Sequence, residues 1–229
     1  MTSSENRKAD AGLPFSRKVS GVDVVLFDYG QVLSTPPDPI AWSRMQMIAG
    51  LSDAKLHEAY WRFRHDYDRD ALNGTAYWGE VARHAGVSLT EEQVEALMAA
   101  DADLWMQPNA PMVAWAGQLQ RAGVRTAILS NIGDAMAERV SARLEWLNAF
   151  ELCVWSYALR MAKPEAEIFR TAAEMLKTAP QQILFIDDKE ENVAAARAAG
   201  MQAVRYAAHD EFVREMRERG FSSLLEVCA

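Results

Sequence analysis

Three apolar runs in this chain end in side chains that could do chemistry. Asp28 follows VVLF, Ser130 and Asn131 follow AIL, and the pair Asp187–Asp188 follows ILFI. A fourth candidate, Lys163, stands before Pro164 in a predicted loop. A carboxylate at the end of a buried strand loses hydration, which costs several kcal/mol unless something nearby compensates its charge. Brought together, these groups supply a nucleophilic carboxylate, a hydroxyl donor, an ammonium and a second acidic cluster. Two or three carboxylates in one place cannot all stay ionised without a cation. A hard divalent ion with oxygen ligands, Mg²⁺ in particular, fits that need. Each piece alone has a plainer explanation. Asp28 suits a turn, Ser130 or Asn131 a helix cap, DDKEEN an acidic first turn favoured by the helix dipole, and Lys-Pro a solvated loop. Their order at successive strand ends is what argues for convergence.

The elements that must position them alternate. Val24–Phe27 is a continuous apolar run, the pattern of a strand buried on both faces. Further strands are predicted at 124–130, 152–156, 181–188 and 201–206. Between them lie amphipathic stretches: 110–122, with Val113, Ala116 and Leu119 on one face and Gly123 as its stop; 134–148, with Met136, Val140, Leu144 and Leu147; and 164–176, where Pro164 suits the first turn. The Ala-rich 191–200 follows, ending at Gly200. Strand–helix alternation implies right-handed crossovers and an α/β fold, a doubly wound parallel sheet with helices on both faces. In such sheets ligands bind outside the carboxyl ends of the strands.

Residues 36–106 break the alternation. They hold helical material and no long β-branched run, so they read as a helical cap inserted after the first strand. The expected organisation is a flexible tail over 1–20, a core from 21–35 and 107–229, and a cap over 36–106. Substrate choice belongs to the cap, whose candidates include Trp42, Arg64, His65, Tyr67, Arg69, Tyr77 and Trp78. The plainer expectation makes Trp61, Phe63, Tyr67 and Trp78 cap core, the arginines solvated, and His65 and His84 surface residues without a metal-spaced partner.

The chain has 229 residues, half of them hydrophobic, enough for a substantial core and a smaller second unit. A net charge of −8 without a basic stripe argues against a nucleic-acid partner. No apolar stretch approaches the ~20 residues of a membrane span. The opening MTSSENRKADAGLPFSRK lacks an apolar h-region and does not read as a secretory signal. Cys153 and Cys228 are far apart and belong to no metal-spaced pair, which fits a reducing compartment. The expectation is a cytoplasmic protein, monomer or homodimer.

In order, FDYGQVL, ILSN, KPEAEIF and FIDDKEENVAAARAAG resemble the four motifs of the haloacid dehalogenase-like (HAD) hydrolases with a helical cap between motifs I and II. The resemblance spans about residues 22 to 206. It implies a small phosphorylated metabolite as substrate, with Asp28 as the nucleophile that forms an aspartyl-phosphate. Ser130 would donate to a phosphoryl oxygen with Asn131 nearby, and Lys163 would hold nucleophile and phosphoryl group by charge. Mg²⁺ would be bound by Asp28, the Gly30 carbonyl and Asp188, with Asp187 as a ligand or just behind, and Asn192 would orient Asp188. Most phosphatases of this family carry a second aspartate two residues after the nucleophile, as acid and then base. Here that place is Gly30. The DxGxV form resembles a branch that includes α-glucose-1-phosphate phosphatase. The rival readings are a binding module that has lost catalysis and a 2-haloacid dehalogenase, whose halide needs neither metal nor acid.

Overall fold

The apolar tetrapeptide Val24–Phe27 forms strand β1, with all four side chains buried. A computed structural model describes residues 21–227; the predicted tail and Cys228 lie outside them. Four more strands, β2 (Arg125–Ser130), β3 (Leu152–Trp155), β4 (Ile183–Asp187) and β5 (Gln202–Arg205), join β1 in one sheet of order β3-β2-β1-β4-β5. Every pairing is parallel. The register sets Phe27 beside Ile128 on one side and Ile186 on the other, so Asp28 and Asp187 emerge at neighbouring strand ends. Strand order reverses between β1 and β4, and this switch point is where a doubly wound sheet opens a crevice.

Side chains alternate between two buried layers. Val25, Phe27, Ile128, Leu184 and Ile186 pack on one face with Met112, Trp115 and Leu119 of helix Ala110–Arg121. Val24, Leu26, Leu129 and Phe185 pack on the other with Ile168, Phe169 and Ala172 of helix Ala166–Met175 and Val193 of helix Glu190–Ala198. The predicted doubly wound architecture is therefore observed.

Between β1 and the first core helix, five helices occupy Pro39–Ala49 (α1), Asp53–Arg62 (α2), Arg64–Asp68 (α3), Gly74–Ala85 (α4) and Glu91–Asp103 (α5). Local chemistry starts them: Asp38 and Asn73 cap α1 and α4, and Thr90 with Gln93 forms a reciprocal capping box on α5. Gly50 and Gly86 end α1 and α4 in the left-handed conformation, where a Cβ is disfavoured. The apolar residues of this insert, Met45, Tyr60 and Trp78 among them, run into the same buried cluster that covers one sheet face. Polar ties join insert to core as well. Ser156 Oγ donates to the Asp68 carbonyl at 2.6 Å, and Gly74 N–H donates to Asp134 Oδ1 at 2.9 Å. Gly133 is tight against the Tyr67 ring, since a Cβ there would fall 2.2 Å from ring atoms.

Two helix boundaries differ from expectation. The stretch predicted as a helix over 134–148 is helical only over Asp134–Arg143 and then tightens into a 3₁₀ turn, Glu145–Ala149. The turn buries Leu147 and sets Trp146 on the Tyr29 ring. Pro164 is not in a helical first turn either. Residues 162–165 form a turn closed by Glu165 N–H on the Ala162 carbonyl, and the helix starts at Ala166.

Candidate active site

Asp28 caps the turn after β1, its Oδ1 accepting the Tyr29 N–H at 2.7 Å. The same oxygen lies 2.9 Å from Lys163 Nζ, and Lys163 Nζ lies 2.6 Å from Asp187 Oδ2. All three residues are buried, so one ammonium bridges two carboxylates away from bulk water. Burial pushes the Asp28 pKa up to about 7; Lys163 opposes the rise, while Asp187 and Asp188 add to it. Burial lowers the Lys163 pKa, but its two carboxylate partners outweigh that and hold it above the ordinary lysine value. The Phe185 ring packs beneath the ammonium, 5.4 Å from its centroid.

Lys163 is held from the backbone outward. Asn131 Nδ2 donates to the Lys163 carbonyl and Asn131 Oδ1 accepts the Lys163 N–H, both at 2.8 Å. The Asn131 side chain is thus committed to positioning this loop, which leaves the backbone of Asn131 for the expected place beside the substrate. Asp187 is equally committed: beside Lys163 it accepts from Lys189 N–H at 2.9 Å and from Asn192 Nδ2 at 2.9 and 3.1 Å. Asn192 therefore orients Asp187, not Asp188 as expected, because one helical turn from Lys189 carries it back over β4. Asp188 takes a different partner, Gln31 Nε2, at 2.9 Å from its Oδ2. Burial raises the Asp188 pKa, and Asp187 adds to the rise.

Carboxylate oxygens of Asp28, Asp187 and Asp188 lie within 4.8 Å of one another. Three acids against one lysine leave an excess of buried negative charge, and an all-oxygen donor set of this kind suits a hard divalent cation. These residues fit Mg²⁺.

Gly30 lies in the extended region, at φ −64° and ψ 128°, so its backbone does not require glycine. A Cβ there would only touch the Trp105 ring, at 3.6 Å. The missing aspartate is thus not a steric exclusion at the first carbon. Gln31, the next residue, is left-handed at φ 58°.

Asp28, Gly30, Ser130, Asn131, Lys163 and Asp188 all line one cavity of about 310 Å³. The insert closes it with Trp61, Arg64, His65, Asp68 and Trp105. Two expectations fail here. Trp61 is 43% exposed at the cavity rather than in the insert's core. Arg64 is buried rather than solvated: its Nε donates to Asp68 Oδ1 at 3.0 Å, and Nη1 reaches the Tyr60 hydroxyl and Asp101. Tyr67 and Trp78 are buried as expected, with Tyr67 stacked on Tyr77 at 4.5 Å. Arg69 pairs with Glu165 at 2.9 Å, and His84 with Glu58 at 3.1 Å. Gln31 and Asp68 carry site contacts that the sequence reading did not single out; for Gln31 the signal available was its place three residues after Asp28.

Residues 23–200 match the model of the haloacid dehalogenase-like hydrolases. The chain belongs to this hydrolase family. It is 24% identical over 225 residues to the bifunctional epoxide hydrolase 2 of Sus scrofa, a match covering 89% of the chain and 40% of that protein, so the chain spans less than half the length of this relative. It is 28% identical over 193 residues to the N-acetylmuramic acid 6-phosphate phosphatase of Pseudomonas aeruginosa, covering 80% of the chain and 81% of that enzyme. A HAD family enzyme of Bacteroides thetaiotaomicron, solved with magnesium and inorganic phosphate, superposes with a TM-score of 0.66 at 21% identity, over 83% of this chain and 97% of that one. Among the described residues no helix is long and apolar enough to cross a membrane.

Proposed function

We propose that this hydrolase is a Mg²⁺-dependent phosphatase that cleaves small phosphate monoesters through an aspartyl-phosphate on Asp28. The observation that carries the reading is Lys163 Nζ seated between Asp28 and Asp187, at 2.9 and 2.6 Å, with Asp188 alongside. With Oδ1 of Asp28 anchored by Tyr29 N–H and Lys163, Oδ2 is the oxygen free to attack phosphorus. Covalent transfer divides one difficult displacement into two easier ones. Ser130, at the end of β2 and on the cavity wall, donates to a non-bridging phosphoryl oxygen. Lys163 offsets charge that develops on the same group, in a pocket where water screens little. Asp28, the Gly30 carbonyl and Asp188 would hold Mg²⁺, with Asp187 behind them orienting Lys163. The ion would neutralise the excess carboxylate charge and polarise the phosphoryl group.

The similarity to a sugar-phosphate phosphatase supports a phosphate ester as substrate, and a cavity of about 310 Å³ suits a small one. The acid cluster weighs against dehalogenation, which has no use for a cation site. Phosphate release from a panel of small phosphomonoesters, with Mg²⁺, with EDTA and with Asp28→Asn, tests the proposal. Release that needs both Mg²⁺ and Asp28 is the expected result. Silence across the panel, with no halide release from 2-haloacids, favours a non-catalytic binding module instead.

A further inference from the structure

Gly30 leaves the cavity without an acid two residues beyond Asp28, yet an alkoxide leaving group needs a proton. The other titratable side chains around the cavity separate clearly. The Tyr29 hydroxyl is committed to the Trp105 carbonyl at 2.7 Å. The His65 side chain is 57% exposed and faces Glu165. Lys189 and Glu191 are exposed at the start of one helix.

Asp68 is different on every count. It is buried, it lines the cavity from the insert, and it shares that cavity with Asp28 and Ser130. Its Oδ1 is fixed by Arg64 Nε at 3.0 Å, while its Oδ2 has no hydrogen-bond partner among the described residues. Its backbone is tied to the core through Ser156 Oγ, which donates to the Asp68 carbonyl at 2.6 Å and accepts the Ile132 N–H at 2.9 Å. Ile132 is two residues beyond Ser130, so one hydroxyl registers the Asp68 segment against the end of β2. We propose that Asp68 is the acid–base group of this site, supplied by the insert in place of the aspartate missing at position 30. This rests on the phosphatase reading.

As Asp28 Oδ2 bonds to phosphorus, the ester P–O bond breaks and its electron pair goes to the leaving oxygen, which takes the Asp68 proton. In the second step water oxygen bonds to phosphorus and a water proton passes to the Asp68 carboxylate. The Asp28–phosphorus bond breaks, returning its pair to the carboxylate, and inorganic phosphate leaves. Asp68 ends each cycle protonated, as it began. Burial favours that resting form; Arg64 opposes it, Asp101 adds to it, and Lys189 opposes it more weakly.

The test compares Asp68→Asn with the wild type on glycerol phosphate, a poor leaving group, and p-nitrophenyl phosphate, a good one. General acid catalysis is typically worth ~10²–10⁴-fold, so kcat/KM on glycerol phosphate falls by about that factor. On p-nitrophenyl phosphate kcat/KM falls far less, because that leaving group departs unprotonated. A burst of p-nitrophenol then precedes slow turnover, since hydrolysis of the aspartyl-phosphate has lost its base. The ratio of the two kcat/KM values is independent of how much variant is folded. An unchanged ratio without a burst, in the presence of wild-type activity, overturns the role of Asp68 alone. A wild type that releases phosphate from neither ester overturns the phosphatase reading and this inference with it.

Discussion

Replacing Asp28 by Asn should stabilise the metal-free protein, and by an amount that grows with pH. Asp28 is 7% exposed, and burial raises its pKa from 3.8 to about 7 despite Lys163 at 2.9 Å. Between those values the folded chain holds a proton that the unfolded chain has released, so folding loses stability as pH rises. Each pH unit is worth ~1.4 kcal/mol, and the full interval ~4 kcal/mol, reached near pH 7 and constant above it. Asn is close in shape to the protonated acid and carries no charge at any pH. Urea denaturation in EDTA should therefore show Asp28→Asn nearly as stable as wild type at pH 4, and more stable by several kcal/mol at pH 8. Mg²⁺ should narrow the gap by more than half, since a ligand at ~100 times its Kd adds ~2.7 kcal/mol to a protein that binds it. The wild type gains that term and the variant loses most of it. Equal stability of the two proteins at pH 8 in EDTA would mean that the buried charge costs nothing.

Other outcomes follow from single contacts. Lys163→Met leaves the buried Asp28 and Asp187 without their shared cation, and should cost ~3–5 kcal/mol at pH 8 by urea denaturation. The loss should shrink as the pH is lowered and Asp28 takes up its proton. Gln31→Gly keeps the left-handed backbone but removes the amide on Asp188, and calorimetry should show Mg²⁺ affinity lower by ~10-fold or more. Gly133→Ala places a Cβ 2.2 Å from Tyr67 ring atoms, and should lower stability by ~1–3 kcal/mol or more in a thermal melt.

The core of the site was legible because its signal is local. β1, β2 and β4 each hold an apolar run, a parallel sheet brings their carboxyl ends to one edge, and Asp28, Ser130, Asp187 and Asp188 follow from that placement, while Lys163, in a loop, follows from the order of the motifs. What the sequence hid depends on contacts made across the fold. Arg64 and Asp68, four residues apart on a helix, have the spacing of an exposed ion pair. Their burial is set by Asp101 on a later helix, by Tyr60 and by the Ser156 tie to the core, none of which is readable from local pattern. Asn192 has the periodicity to reach either acid, and only the turn at Lys189 decides for Asp187. Trp61 fits an apolar helix face, and whether that face is core or cavity depends on how the insert is set down. Pro164 suits a helix start by its fixed φ, but Asn131 pins the neighbouring Lys163 backbone and delays the helix to Ala166.

Catalysis at this site turns on the covalent step on Asp28. Acid quenching of the enzyme during turnover of a phosphomonoester with Mg²⁺, followed by peptide mass spectrometry, tests it directly. The expected result is one phosphoryl group on the peptide carrying Asp28, absent in EDTA and more abundant in Asp68→Asn with p-nitrophenyl phosphate. Steady phosphate release with Asp28 never phosphorylated, in wild type or variant, would contradict it.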